Sequence, residues 1–181
     1  SNAPTFITQK RVLDKNAGGH KELSKIYKSN KDAIEHQFNL GSSIYRGYNN
    51  EEDFQLSYPF IPYQFKLIGD VLDAFQQLRF VITQVKDNAR SVIGLTHFTA
   101  KNYAKEEVGT FIPFDAFLNE QLRQNMQNAG TRAIDRPLSL SWIKKGSFEE
   151  RVVKNLFMIS NLSHSVIQTF SPNVENLTIL M

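Results

Sequence analysis

The chain of 181 residues contains no cysteine, which excludes disulfide bonds, thiolate metal sites and cysteine nucleophiles together. A protein without cysteine suits a reducing compartment, so we expect a cytoplasmic location. Long apolar runs are also missing, since no stretch approaches the roughly 20 residues that a membrane-spanning helix needs. We therefore predict neither a membrane span nor a secretory signal peptide, and we expect no membrane partner.

A strong excess of charge of one sign is missing too. The chain has 21 basic and 18 acidic residues, for a formal net charge of +3, and basic residues are dense only from Lys21 to Lys31. This pattern is typical of a solvated helix face and by itself indicates no polyanionic partner. Hydrophobic residues make up 41% of the chain, which excludes wholesale disorder and predicts a folded core.

Recognisable catalytic motifs are absent as well. The phosphate-binding loop, the H-E-x-x-H zinc motif and the G-x-S-x-G elbow do not occur. The segment Gly18-Gly19-His20-Lys21 lacks both a preceding strand and a following hydroxyl residue, so it predicts a turn between helices. Lys145-Gly146-Ser147 predicts a turn followed by a helix cap. No histidine has a partner at metal-site spacing, which applies to His20, His36, His97 and His164. We predict no catalytic residue, no metal ligand and no cofactor-binding residue in this chain.

Apolar residues at helical spacing indicate a mainly α fold. Pro62 suits the first position of a helix, and a broad apolar stripe follows it as far as Leu78. Ser147 and Glu150 have the spacing of a capping box and predict another helix start. Glycines at 18–19 and the segment 128–130 are predicted to interrupt helices. Helices are predicted over residues 5–16, 20–40, 62–79, 88–105 and 113–127, from 147 onward, and within 172–181.

Three segments favour extended structure. Apolar and polar residues alternate over 54–58, and β-branched residues are frequent over 80–85, which could form a strand or extend a helix. Residues 108–112 are predicted to be extended. The mainly α fold is therefore expected to hold a small β element or a winged-helix-like part in its second half, two alternatives that stay open. The sequence of residues 139–143 predicts neither a helix nor a strand.

The order of these segments predicts three parts. Residues 1–3 read as the remnant of an expression tag. Residues 4–43 are expected to form a lid-like helical hairpin, and residues 44–181 a multi-helix module. Apolar residues continue to Met181 without a stop signal, from which we expect a truncation at this end.

Most of the fourteen phenylalanines and six tyrosines fall at core positions of the helical pattern. Tyr45, Tyr48 and Tyr103 are instead predicted to be exposed, and they lie near Arg46 and Lys101 in the sequence. Exposed aromatic rings beside cations are typical of surfaces on which nucleic-acid bases stack.

One segment resembles a known family. The run Tyr58-Pro59-Phe60-Ile61-Pro62-Tyr63-Gln64-Phe65-Lys66-Leu67-Ile68 resembles a signature of the large P-loop ATPase of BREX phage-resistance systems, the BrxC/PglY family. Arg90 and Ser91 match the end of an Arg-Gly-Glu-Arg-Ser motif that is frequent there. Further similar segments follow the same order over nearly the whole chain: 10–15, 21–27, 89–92, 107–115, 153–159 and 173–181.

The resemblance implies that the parent protein is an AAA+-type ATPase of antiviral defence, with ATP and Mg²⁺ bound by motifs upstream of this chain. The chain itself would be a non-catalytic regulatory or assembly module. Its implied partners are the ATPase core of the parent chain, other defence-system subunits and DNA. Arg90 is the first candidate for a nucleotide, nucleic-acid or partner contact, and a surface ion pair is the plain alternative. A DNA-binding helical module is the alternative function, with Tyr45, Arg46 and Tyr48 as candidate contacts.

Overall fold

A computed structural model describes Gln9 and residues 13–82, 88–162 and 170–181. Within these ranges the chain forms nine α-helices and one 3₁₀ helix, so the mainly α prediction is confirmed. None of these helices is long and apolar enough to cross a bilayer. The α-helices are α1 Ala17–Ser29, α2 Lys31–His36, α3 Glu51–Ser57, α4 Pro62–Gln77, α5 Asn88–Asn102, α6 Glu120–Gln124, α7 Asn128–Leu138, α8 Phe148–Ile159 and α9 Val174–Leu180.

The first helices differ from the prediction. α1 begins at Ala17, so Gly18 and Gly19 lie in its first turn and do not separate two helices. The side chain of Asn16 caps this turn by accepting a hydrogen bond from the amide of Gly19 at 2.8 Å. The helix predicted over 20–40 is divided at Asn30 into α1 and α2. Most of the helix predicted over 5–16 lies outside the described residues, and residues 13–16 are not helical.

Residues 51–57 are helical, so the extended prediction for 54–58 is wrong. Asn50 caps α3 by accepting a hydrogen bond from the amide of Asp53 at 2.9 Å. Three acidic residues in the first turn stabilise α3, because their negative charges lie at the positive end of the helix dipole. Phe54 and Ser57 are fully buried on one side of α3, which is the spacing of a helix face and not of a strand.

α4 begins at Pro62 as predicted and ends at Gln77, followed by Arg79 in the left-handed region at φ 57°. The β structure of the described residues is limited to one isolated bridge between Val81 and Met126. Residues 108–112 form no strand. The described residues therefore form no sheet of the kind that a winged-helix-like part would contain. Residues 83–85 of the predicted strand lie outside the described part of the chain.

The helix predicted over 113–127 is divided as well. Phe114–Phe117 form the 3₁₀ helix, and Asn119 then caps α6 by accepting bonds from the first amides of that helix. The predicted stop at 128–130 is instead the beginning of α7. Gly130 serves packing, because a Cβ atom there would lie 2.8 Å from the carbonyl oxygen of Phe80.

One hydrophobic cluster of buried residues extends from Leu13 to Leu180. Side chains from the predicted lid-like segment 4–43, such as Leu23 and Tyr27, belong to the same cluster as those of 44–181. Phe54 lies at its N-terminal side, with ring centroids 5.7 Å from Tyr27 and 5.3 Å from Tyr48. Such aromatic pairs add to the stability that burial alone supplies.

Gly94 and Gly130 are predicted to respond in opposite directions to alanine. Gly94→Ala should raise the free energy of unfolding by about 0.5–1 kcal/mol, since the new Cβ meets no atom within 4 Å and the unfolded chain loses freedom. Gly130→Ala should lower it by about 1–3 kcal/mol, because its Cβ would collide with the backbone of Phe80. Urea denaturation of both variants measures the difference, and equal responses would contradict this packing.

Candidate functional site

Residues 58–68, from which the family resemblance is predicted, lie at a junction inside the fold. The hydroxyl of Tyr58 accepts a hydrogen bond from the amide of Gly109 at 2.6 Å, and the carbonyl of Pro59 accepts one from the amide of Ile112 at 3.0 Å. Two segments of the predicted resemblance, 58–68 and 107–115, are thus bonded to each other. We call these two strips, residues 58–64 and 109–112, the core junction.

Gln64 completes the core junction. Its side chain is fully buried. Its Nε2 donates to the carbonyl of Ile112 at 2.7 Å, and its Oε1 accepts from the amide of Ile61 at 2.9 Å. The second bond satisfies an amide at the start of α4 that has no partner within the helix. Sequence reasoning assigned no role to Gln64, although a glutamine two residues after a helix-starting proline is suited to such a cap.

A partly buried ion pair joins the same region to α8. The carboxylate of Asp115 accepts hydrogen bonds from the guanidinium of Arg151 at 3.1–3.3 Å and from the amide of Asn155 at 3.3 Å. The side chain of Asp115 is 11% exposed and that of Arg151 is 35% exposed, so the bidentate pair is partly buried. Asn155 belongs to another of the similar segments, 153–159, which therefore also packs at the centre of the fold.

Two of the predicted contact residues are buried. Tyr45 is 0% exposed and Tyr48 is 2% exposed, so the prediction that these rings are accessible is wrong. The hydroxyl of Tyr45 donates to Asp70 at 2.6 Å, and that of Tyr48 donates to the carbonyl of Phe60. Burial, followed by the neighbouring carboxylate of Asp70, raises the pKa of Tyr45 above its ordinary value. Neither ring can stack on a nucleic-acid base without unfolding its surroundings.

The other candidates lie apart from one another. Arg46 is exposed, and its Nε donates to the carbonyl of Ser43 at 3.4 Å. Tyr103 is half-buried, and burial raises the pKa of its hydroxyl. Arg90 is exposed in the first turn of α5. The tertiary structure therefore forms no joint surface from the predicted aromatic and basic residues.

Arg90 borders a cleft of about 240 Å³ between α4, α5 and α6. Apolar side chains alternate there with groups that can form hydrogen bonds. The mixture suits a small ligand or the side chain of a partner, because apolar contact supplies affinity and a few polar groups fix orientation. The lining residues are Leu72, Asp73, Gln76, Val81, Arg90, Ser91, Gly94, Leu95, Gln121, Leu122 and Asn125.

The charges of this Arg90 cleft are of both signs. Burial raises the pKa of the Asp73 carboxyl, the nearby Asp70 carboxylate adds to that rise, and the Lys66 ammonium opposes it. Ser91 also lines the cleft, whose described lining residues include no histidine or lysine. The described lining residues can bind and orient a group.

The histidines and carboxylates of the described residues form no metal site. No group of three or more histidine, aspartate or glutamate side chains within the described residues could hold a metal ion. His20 and His36 each hydrogen-bond within their own surroundings, to Gln55 at 2.7 Å and to the carbonyl of Asp32 at 2.8 Å. His164 lies outside the described residues.

No protein-family model matches this chain, and no solved structure matches it.

Replacing Gln64 is predicted to destabilise the core junction strongly. Gln64→Leu should lower the free energy of unfolding by about 1–3 kcal/mol for each backbone group left buried without a partner, which are the Ile61 amide and the Ile112 carbonyl. Gln77→Leu is the matched control, since Gln77 lies exposed at the end of the same helix. Chemical denaturation compares the two, and an equal loss in both variants would contradict this role.

Proposed function

We propose that this chain is a non-catalytic helical regulatory or assembly module of a large AAA+-type P-loop ATPase in bacterial anti-phage defence of the BREX type. The parent protein binds ATP and Mg²⁺ through residues outside this chain. The module's partners are the ATPase core of the parent chain and other subunits of the defence system.

The position of the Tyr58–Ile68 segment supports this proposal. Nearly all of its side chains are buried, and Lys66 is its one exposed member. Through the core junction the segment bonds to 107–115, and through Asp115 that segment bonds to α8. A family signature made of core contacts is inherited with a fold and not with a reaction, which suits a module that supports chemistry performed elsewhere.

The Arg90 cleft suits the regulatory part of the proposal. Its walls come from three helices, so a group that binds one arrangement of these helices more tightly than another shifts the equilibrium toward it. A lid that responds to nucleotide state needs such a joint between packed helices. Among the described residues that line the cleft, Arg90 is the cationic one, and its side chain is exposed.

The proposal predicts a division of ATPase activity. The full reading frame that encodes this chain should hydrolyse ATP with Mg²⁺, whereas the isolated 181 residues should release no phosphate above background. Arg90→Ala in the full-length protein should change the turnover rate about fivefold or more, the lower range of allosteric coupling. A phosphate-release assay measures all three proteins.

Lys101→Ala is the control for the arginine, since Lys101 is an exposed basic residue of the same helix. Its turnover should match that of the unmodified protein. Thermal unfolding of the isolated chain should be unchanged by Arg90→Ala, because exposed substitutions usually alter stability by less than about 0.5 kcal/mol. Phosphate release by the isolated chain, or a full reading frame without a phosphate-binding loop, would overturn the proposal.

A further inference from the structure

The connection between α7 and α8 exposes large apolar side chains. Trp142 is 62% exposed, Phe148 is 68% exposed and Leu140 is 46% exposed, whereas Ile143 between them is buried. Phe148 is the first residue of α8, which Ser147 caps by accepting a bond from the amide of Glu150 at 3.1 Å. The cap and the buried isoleucine hold the connection in place while the aromatic rings face solvent. We call residues 139–148 the hairpin tip.

Basic residues lie on α7 and within the hairpin tip, and the acidic pair Glu149 and Glu150 follows in the first turn of α8. A hydrogen bond from Lys154 and the charge of Lys145 lower the pKa of Glu150. Residues 131–148 contain four basic residues and one acidic residue, which leaves 17 of each sign in the rest of the chain. The acidic residue, Asp135, is engaged by Arg123 at 2.7 Å. α7 buries Gly130 and Ile134, so Arg132 and Arg136 lie on its solvent side. The other two basic residues, Lys144 and Lys145, are exposed within the hairpin tip itself.

The stretch from Lys21 to Lys31 has a similar excess of positive charge but different surroundings. α1 packs against α3, whose first turn is acidic. The pKa of Glu51 is lowered by a hydrogen bond from Ser24 and by the charge of Lys28, so the two helices offset each other's charge. No phenylalanine, tyrosine or tryptophan of α1 or α3 is exposed. Among the described residues, basic charge and exposed aromatic rings therefore coincide at the hairpin tip.

We propose that the hairpin tip and the solvent side of α7 form a binding surface for single-stranded nucleic acid. Trp142 and Phe148 stack on bases, while Arg132, Arg136, Lys144 and Lys145 neutralise the phosphates. Every nucleotide of a single strand offers both a flat apolar face and a negative charge, which matches the two properties of this surface. A duplex keeps its base faces stacked inside and offers only the charge. This inference does not rest on the proposed ATPase parentage.

Trp142 is the only tryptophan of the chain, so its fluorescence reports on this surface alone. The experiment titrates the unmodified protein with oligothymidylate and oligouridylate of about a dozen nucleotides, a length within the range of single-strand sites. Stacking should quench the fluorescence, and the affinity should fall as salt rises because bound counterions are released. Saturable quenching by either probe supports the proposal, and the tighter probe distinguishes DNA from RNA as the ligand. A duplex of the same length should bind more weakly.

Substitutions identify the residues that bind, and the fluorescence anisotropy of a labelled oligonucleotide measures the affinity of each variant. Trp142→Ala should weaken binding about tenfold, in the range measured for loss of one stacked base, while Trp142→Phe should retain most of the affinity. Lys144→Ala combined with Lys145→Ala should lower the slope of log affinity against log salt by about 1.4, since each single-strand phosphate contact contributes about 0.7. Circular dichroism checks that every variant is folded.

Two control variants remove side chains of the same chemical type elsewhere in the chain. Val174→Ala removes an exposed apolar side chain, and Lys21→Ala combined with Lys25→Ala removes two exposed lysines of α1. Both should leave affinity and salt slope unchanged. Binding that falls equally in the controls, absence of binding at low salt, or equal affinity for a duplex would overturn the proposal. A blue shift of the Trp142 fluorescence with phosphatidylserine–phosphatidylcholine vesicles would also overturn it, if the shift occurred at a lower ligand concentration than any effect of an oligonucleotide. That result would assign the surface to an anionic membrane.

Discussion

The hydrogen bonds of the core junction are the constraint on which the other contacts depend. Gln64 holds the start of α4 and the carbonyl of Ile112 in one fixed geometry without access to water. A buried amide side chain of this kind is stabilising only while both of its partners are in place, because each unpaired group costs free energy. The junction therefore couples the correct end of α4 to the correct position of a segment 48 residues later.

Different kinds of interaction stabilise the two sides of the core junction. On the N-terminal side, aromatic rings pack around Phe54 and include Tyr48, whose hydroxyl bonds to the carbonyl of Phe60. On the other side, Asp115 connects the 3₁₀ helix to α8 through Arg151. Tyrosine suits the first position because its ring supplies buried area and its hydroxyl satisfies a buried carbonyl. The segments on which the predicted resemblance depends therefore contain residues that hold the fold together. The Arg90 cleft and the hairpin tip present exposed side chains.

Some elements could be predicted because their signals are local. Pro62 begins α4 and Ser147 caps α8, as expected, since a proline's fixed φ and a hydroxyl beside free amides act within one helical turn. Other local signals were misleading. Gly130 was expected to end a helix, yet it lies inside α7, because its small size serves close contact with Phe80. The Arg90 cleft could not be predicted, since its walls come from three helices separated along the chain.

The sequence by itself determined the helical class, the beginnings of α4 and α8 and the absence of thiol chemistry, because these follow from residue type and near neighbours. Tertiary structure decided which aromatic rings reach solvent. Tyr45 and Tyr48 lie in a polar stretch that indicates exposure, yet both are buried, while Trp142 lies beside a buried isoleucine and remains exposed. The physical reason is that burial is a property of the surfaces that meet after the chain folds, and those surfaces come from residues far apart in sequence.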